Sequence, residues 1–123
     1  MAWVVLLADE FLPEFQALDR NVSIELAATA AVLEHFGPHL GRPRVDTLKG
    51  SRHSNMKELR FNAGGGVWRV AFAFDPKRHA ILLTAGDKSG TSERRFYRAL
   101  IRRADTRFDR HLAMMRAGRG GCS

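Results

Sequence analysis

Residues 57–88 constrain the fold of this chain most strongly, because they read as three short strands separated by two turns. In MKELRF and VWRVAFAF the side chains alternate in character every two residues, which is the period of a β-strand. The glycines of NAGGG and the Asp-Pro pair of DPKR supply turn chemistry between such strands. The stretch therefore predicts a meander of three antiparallel strands that ends in HAILLTAGDK.

The two faces of this predicted meander differ in chemistry. The larger apolar side chains fall on one face: Leu59, Phe61, Trp68, Val70, Phe72 and Phe74. Glu58, Arg60 and Arg69 fall on the other face, beside the small side chains of Ala71 and Ala73. The first face is the expected core. The second is expected to be an open cationic surface and a candidate site.

Charge is distributed unevenly along the chain. Residues 1–41 hold one basic side chain, Arg20, against six acids. The other 82 residues hold 19 Lys and Arg against seven acids, a net charge of +12. This asymmetry indicates either a polyanionic partner for the later segment or a solvated basic surface.

Length and composition indicate one soluble domain. A chain of 123 residues with 45% hydrophobic and 27% charged residues is long enough for a single core. We expect the domain to span residues 1–116 and the tail 117–123 to be disordered. The apolar runs are too short to cross a bilayer, and the start of the chain does not resemble a secretory leader. A lone cysteine, Cys122, is typical of a reducing, cytoplasmic location.

Further elements are predicted on both sides of the meander. Residues 3–8 form a candidate strand that can pair at either edge of the sheet, and a short helix follows it. A second helix begins near Asn21 and ends at Gly37, with a stripe of apolar residues expected to pack inward: Ile24, Ala27, Ala28, Ala31, Val32 and Phe36. Residues 38–55 lack a period and are expected to form a loop. The predicted fold class is α+β, in the order β-α-α-β-β-β-α, with the sheet packed against helices.

The last predicted helix is capped by Thr91 or Ser92. An apolar stripe recurs every four residues along it: Phe96, Leu100, Ala104, Phe108 and Leu112. Its other faces carry seven arginines: Arg94, Arg95, Arg98, Arg102, Arg103, Arg107 and Arg110. These arginines form either a surface for nucleic acid or the ribosome, or a solvated face interrupted by Asp105 and Asp109.

The sequence lacks the motifs that are typical of several classes of enzyme. Gly64-Gly65-Gly66 is not followed by Lys-Ser/Thr, so it is not a phosphate-binding Walker loop. The sequence also contains no Cys/His spacing typical of structural metal sites and no nucleophile elbow. These patterns argue against an NTPase, a zinc enzyme and a serine hydrolase.

The order of the segments resembles the RelE/ParE superfamily of bacterial toxins. The motifs that carry the resemblance are KELRF, the glycine turn, VWRVAFAFD, ILLTAGDK and FYRALIRRAD, and they cover the chain to about Arg110. LKGSRHSNMKELR and GGGVWRVAFAFDP are similar to segments of the HigB-like, phage Gp49-like branch. The resemblance implies a RelE-like antiparallel sheet and the toxin of a type II toxin–antitoxin module.

Members of that family act as mRNA interferases, so the resemblance implies a ribosome-dependent endoribonuclease that cleaves translated mRNA. It implies the mRNA, the ribosome and a cognate antitoxin as partners. The antitoxin would be a HigA-like helix-turn-helix protein, and the toxin would meet DNA only through it. No cofactor, metal or membrane is implied. The alternative is a ParE-like inhibitor of DNA gyrase without nuclease activity, and a third reading is an RNA-binding module that does not cleave.

The resemblance also assigns candidate catalytic residues. The strand-borne arginine of the family matches Arg69, and its preceding basic strand matches the segment 57–60. The basic residue after its last strand matches Lys88, and the aromatic hydroxyl early in its last helix matches Tyr97. Where some relatives carry a second lysine, this chain has Glu58, which is either an acid-base group or a salt-bridge partner of Arg60.

RNA cleavage through the 2′-hydroxyl without a metal requires a base, an acid and positive charge near the phosphorus. Arg60 and Arg69 suit the last role, because a guanidinium binds two phosphate oxygens at once. Lys88 and Tyr97 are the candidates for proton transfer. The positive end of the helix and nearby arginines are expected to lower the pKa of Tyr97.

A second set of basic residues lies next to the first central strand and is predicted to hold RNA phosphates: Lys49, Arg52, His53 and Lys57. Among the five histidines, His53 is also an alternative candidate for catalysis, because its loop precedes the sheet. His35, His39, His79 and His111 are interpreted as surface or packing residues.

Overall fold

The predicted meander forms the centre of a five-stranded sheet in the computed structural model, which describes residues 3–121. The strands are β1 (Val4–Leu7), β2 (Val45–Thr47), β3 (Lys57–Ala63), β4 (Gly66–Phe74) and β5 (His79–Asp87). The helices are α1 (Phe11–Gln16), α2 (Arg20–Phe36) and α3 (Glu93–Gly121), and a 3₁₀ turn spans Gly37–His39. The strand order is β1-β5-β4-β3-β2, which confirms the α+β class.

β3, β4 and β5 pair antiparallel as predicted, and β1 and β2 occupy the two edges. β1 runs parallel to β5, with Val4 opposite His79. β2 runs antiparallel to β3, with Val45 opposite Leu59. The prediction of a loop over residues 38–55 is wrong at β2. Three residues carry too little pattern to indicate a strand, and the pairing with β3 creates it.

α2 packs against the apolar face of the sheet, where Leu59 is fully buried. Its own buried residues are Val22, Leu26, Thr29 and Leu33. The predicted inward stripe of α2 is wrong, since Ile24 and Phe36 are 54% and 48% exposed. The leucines bury more apolar area than the alanines of the neighbouring stripe, and hydrophobic stabilisation grows with that area.

α3 lies across the opposite face of the sheet. Ala71 and Ala73 are fully buried there, and their small side chains leave room for the helix to approach. Glu58 and Arg69 are only 2% and 9% exposed. The prediction of an open cationic surface is therefore wrong, because α3 converts most of that surface into an interior.

Polar contacts fix the middle of α3 to the sheet and to α1. The pairing of β4 with β5 shifts register between Ala71 and Phe72, which is a bulge in the ladder. Next to this irregularity the Leu83 carbonyl accepts a hydrogen bond of 2.8 Å from Nη1 of Arg107. Nη2 of the same arginine lies 2.6 Å from a carboxylate oxygen of Glu14. Arg107 therefore joins three elements.

α3 continues to Gly121, past the predicted end of the domain at Arg116. The rest of the predicted tail, residues 122–123, lies outside the described residues. Within residues 3–121 no helix has both the length and the apolar character needed to cross a membrane.

Candidate active site

Glu58 is the centre of a polar cluster between the sheet and α3. Its side chain is 3% exposed, and its Oε2 lies 3.1 Å from both Nε and Nη2 of Arg60. Its Oε1 accepts a hydrogen bond of 2.9 Å from the Tyr97 hydroxyl and lies 3.7 Å from Nε of Arg69. Side chains from β3, β4 and α3 therefore meet at one carboxylate.

The register of the sheet creates this cluster. Arg60 of β3 lies directly opposite Arg69 of β4. Glu58 precedes Arg60 by two residues, so all three share one face. Like charges that face each other across two strands are destabilising, and the Glu58 carboxylate compensates them. Asp46 of β2 lies opposite Glu58 and contributes a second carboxylate, 3.3 Å from Nη2 of Arg60.

Tyr97 enters the cluster from the beginning of α3. Its hydroxyl donates to Glu58 and accepts a hydrogen bond of 3.3 Å from Nε of Arg69. Burial raises the pKa of Tyr97, and the hydrogen bond to Glu58 acts in the same direction, against the effect of Arg69. The predicted lowering of this pKa is wrong, because desolvation and an adjacent carboxylate outweigh the arginine. Tyr97 is a protonated phenol whose proton points at Glu58.

A pocket of about 410 Å³ opens beside the cluster. Glu58, Arg60 and Tyr97 line its inner wall. The rest of the lining comes from the segment around β2 and from α3: Arg42, Asp46, Thr47, Leu48, Lys49, Glu93 and Ile101. Arg60 and Tyr97 thus face the pocket, whereas Arg69 and Lys88 do not line it and contact Tyr97 instead.

Lys88 and Glu93 form an ion pair at the edge of this pocket. Nζ of Lys88 lies 2.7 Å from Oε1 of Glu93 and 5.8 Å from the centre of the Tyr97 ring. The hydrogen bond from Lys88 lowers the pKa of Glu93, and the charges of Arg69 and Arg60 add to this effect. Glu93 is 70% exposed. It is therefore an ionised carboxylate within the positive field of the cluster.

The structure separates the residues predicted to hold RNA. Lys49 is exposed and lines the pocket. Arg52 and His53 do not line it, because both bind Asp109 in the second half of α3. The contact between Nε2 of His53 and Oδ1 of Asp109 is 2.7 Å. Arg52 and His53 therefore fix the loop before β3 to α3, away from the Glu58 cluster.

Lys57 also lies apart from the cluster. It immediately precedes Glu58 in a regular strand, so its side chain falls on the face of Leu59 and α2. The same alternation that placed Leu59 on the core face also places Lys57 there, since the two residues are two positions apart.

Two acidic residues of the site, Asp46 and Glu93, were not candidates from the sequence. Asp46 belongs to the strand that the sequence did not reveal, and Glu93 reads only as a favourable residue in the first turn of a helix. Asp46 is close to Arg60 and Glu93 is close to Lys88, and only the fold shows that these residues are neighbours of the site. Among the described residues 3–121, no group of three or more His, Cys, Asp and Glu is placed to hold a metal ion.

The sheet order and the helix across the polar face of the sheet define a RelE-like fold. A solved structure of a doubly substituted E. coli toxin RelE in the free state matches with a TM-score of 0.56. The match covers 82% of this chain and 95% of that chain at 13% sequence identity, so it shows a common fold.

The particular family is Phage derived protein Gp49-like (DUF891), whose model matches residues 13–109. The chain belongs to this family. It is 50% identical over 97 residues to the Mycobacterium tuberculosis protein named "Putative toxin HigB2", across 78% of this chain and 48% of that protein. It is 45% identical over 104 residues to "Putative toxin HigB3" of the same organism, across 85% and 89%. The chain thus spans about half of the first relative and most of the second.

These matches confirm the resemblance to the HigB-like, phage Gp49-like branch of the RelE/ParE superfamily.

Proposed function

We propose that this chain is the toxin of a type II toxin–antitoxin module and acts as a ribosome-dependent endoribonuclease on translated mRNA. Family membership and the names of the two relatives support the toxin assignment. One geometric observation supports the chemistry: Arg60 and Tyr97 both donate hydrogen bonds to Glu58 on the wall of a pocket. That arrangement combines a phosphate ligand with a path for a proton.

Arg60 is the proposed ligand of the scissile phosphate. Its side chain is 33% exposed and lines the pocket, and a guanidinium keeps its charge at any physiological pH. Lys49 on the rim adds a positive charge for a neighbouring phosphate, whereas Arg42 lies 3.2 Å from a carboxylate oxygen of Asp46. Positive groups held in place before the reaction stabilise the charge that develops on the phosphoryl oxygens.

Proton transfer is assigned to Tyr97 and Lys88. As the 2′-oxygen attacks the phosphorus, its proton passes to the Tyr97 oxygen, while the phenolic proton moves to Oε1 of Glu58. The Lys88 ammonium gives a proton to the leaving 5′-oxygen, and the P–O5′ bond breaks to leave a 2′,3′-cyclic phosphate. Arg69 stabilises negative charge on the Tyr97 oxygen, which lies 3.3 Å from its Nε. No metal ion is needed in this scheme.

The proposed protein partner is a cognate antitoxin of the HigA-like, helix-turn-helix type, and contact with DNA would occur only through it. The chain has a net charge of +7, so an acidic antitoxin surface would associate quickly and mask the phosphate-binding groups. The proposed location is the cytoplasm, which contains the translating ribosomes.

The test is expression of the chain in bacteria, with and without the antitoxin, followed by mapping of the 5′ ends of cellular mRNA. We expect growth arrest and new mRNA ends with the parent chain. Both should disappear when Arg69→Ala is combined with Tyr97→Phe. Arg116→Ala is the control, because this exposed residue lies far along α3 from the cluster.

Unchanged toxicity of the double variant would refute the site assignment. Growth arrest with intact mRNA, an SOS response and gyrase-linked DNA breaks would instead favour the ParE-like alternative.

A further inference from the structure

The flank of α3 next to β5 carries arginines that the proposed catalytic pocket does not use. Two adjoining depressions lie along this flank, each of about 340 Å³. The first lies between the end of β5 and the start of α3 and includes Arg95 and Arg103. The second continues along the helix and includes Arg102, Arg103 and Thr106. They share Ala99 and Arg103, and together they are called the arginine groove.

Some arginines of α3 already have side-chain partners within the chain, and others do not. Arg107 and Arg110 bind the acidic side chains of Glu14 and Glu10, and these contacts fix α1 to α3. Arg103 donates to the Thr84 hydroxyl at 3.2 Å.

In contrast, the exposed guanidinium groups of Arg95 and Arg102 make no hydrogen bond or ion pair with any side chain in residues 3–118. The same holds for Arg94 and Arg98, but these two residues do not line the groove. Arg95 and Arg102 are seven residues apart, close to two helical turns, so they lie on one face about 10 Å apart. Within the groove they are thus two adjacent, uncompensated charges.

One carboxylate, Asp87, lines the groove. Its Oδ1 already accepts hydrogen bonds from the backbone N–H groups of Val67 and Ser89 and from the Ser89 hydroxyl. The hydroxyl of Ser89 is the largest cause of the lowered pKa of Asp87. Asp87 therefore caps the turn after β5 and does not pair with the arginines of the groove.

The groove and the catalytic pocket lie on the two flanks of α3. The pocket includes Tyr97 and Ile101, whereas the groove includes Ala99 and Arg103. The connection 88–92 passes between them at the beginning of the helix, and a Cβ added to Gly90 would meet no atom within 4 Å. An α-helix with its side chains is about 10–12 Å across, so a few nucleotides are enough to pass from one flank to the other.

We propose that the arginine groove binds the phosphodiester backbone of RNA that continues from the catalytic pocket around the start of α3. This proposal rests on the proposed function, which brings RNA to the pocket. Guanidinium groups bind phosphate oxygens through two hydrogen bonds each. The second depression has no large apolar side chain, and in the first Leu100 is buried, so the half-buried Phe96 is the one large apolar side chain that the groove offers. A bound protein segment would need several such anchors, so RNA is favoured over an acidic peptide.

The experiment compares two double variants that each remove two exposed positive charges. Arg95→Gln with Arg102→Gln alters the groove, and Arg20→Gln with Arg116→Gln is the matched control elsewhere on the surface. The probe is RNA methylated at every 2′-oxygen, which lacks the nucleophile and stays intact whether or not the protein is a nuclease. Affinity is measured over a range of salt concentrations, and thermal unfolding verifies that all variants fold.

Each phosphate contact contributes about 0.7 to the slope of log affinity against log salt for single-stranded nucleic acid. We expect the groove variant to lower this slope by about 1.4 and the control to leave it unchanged. Single-stranded and duplex probes of equal length distinguish a message strand from folded ribosomal RNA as the source of the phosphates.

Equal slopes for the groove and control variants with both probes would overturn the proposal. So would unchanged RNA binding together with a loss of binding to an acidic peptide, which would assign the groove to a protein partner. In a third outcome the parent chain cleaves no mRNA while the groove variant still shows the smaller slope of log affinity against log salt. That result would refute only the proposed nuclease activity.

Discussion

The hydroxyl of Tyr97 donates a hydrogen bond of 2.9 Å to Oε1 of Glu58. This contact joins the start of α3 to a central strand, so it bears on both the chemistry of the pocket and the docking of the helix. The two contributions are separable, because Glu58 keeps its ion pair with Arg60 when the Tyr97 hydroxyl is removed.

Tyr97→Phe tests the chemical contribution. The ring stays packed while the proton path is lost, so the cleavage rate should fall by about 10²–10⁴, the range for a general acid–base group. Thermal unfolding should change little, since Glu58 remains paired. Single-turnover cleavage of mRNA on purified ribosomes is the measurement. A variant with the cleavage rate of the parent would exclude Tyr97 from proton transfer.

Glu58→Gln tests the structural contribution. It leaves Arg60 and the nearly buried Arg69 without their shared carboxylate, and losing one partner of a buried ion pair costs about 3–5 kcal/mol. We expect about 3 kcal/mol in urea denaturation, because Arg60 is 33% exposed and keeps Asp46. Asp46→Asn is the matched control and should cost clearly less than Glu58→Gln, because the Asp46 side chain is 24% exposed and Arg60 keeps Glu58. Equal losses for the two variants would contradict a central role for Glu58.

Glu93→Gln tests the exposed anion at the edge of the pocket. Removing this carboxylate frees Lys88 and strengthens the positive field around Arg60, so binding of 2′-O-methylated RNA should tighten by about threefold at low salt. The gain should shrink as salt is added. Glu25→Gln, an exposed change on α2 with the same charge effect, should leave the affinity unchanged. Equal gains for both variants would show that net charge alone is responsible.

Asp75 should make the free energy of unfolding depend on pH in the acidic range. It is 5% exposed, and burial favours its neutral form, but hydrogen bonds from His111 and from the backbone of His79 and Lys77 prevail and lower its pKa. Ionised Asp75 therefore stabilises the fold above the unfolded pKa of about 3.9, and this contribution disappears as the pH falls through the lower folded pKa.

In urea denaturation, Asp75→Asn should thus cost about 1–3 kcal/mol at pH 7 and progressively less below about pH 4. Asp9→Asn, at an exposed position, serves as the control. A cost for Asp75→Asn that grows toward acid would contradict the assignment.

The sequence predicted the parts of the fold that depend on local pattern. Alternation in β3 and β4 placed Glu58, Arg60 and Arg69 on one face, and the glycine turn joined the strands correctly. It did not place β2 or β1, because a three-residue strand has no period and a parallel pairing depends on residues far away. The packing face of α2 was also wrong, since two apolar stripes compete on that helix and only the sheet selects one.

The candidate site was also predicted only in part. Tyr97 and Lys88 came from the family resemblance, and the fold places them beside the strand residues. The direction of the Tyr97 pKa was missed, because nothing local indicates that α3 brings Tyr97 to Glu58. His53 was misplaced for the same reason: its partner, Asp109, is 56 residues later in the chain.

The parallel pairing of β1 with β5 has a consequence for the order of events during synthesis. Val4 has no strand partner until His79 has been made, and such distant pairing slows folding. Tyr97 follows later still, so the Glu58 cluster cannot close before the start of α3 has left the ribosome. Under the proposed function, the ribosome that makes this chain has released residues 1–96 before any catalytic pocket exists. The order of the elements therefore delays the proposed chemistry until the start of α3 has followed the whole sheet out of the ribosome.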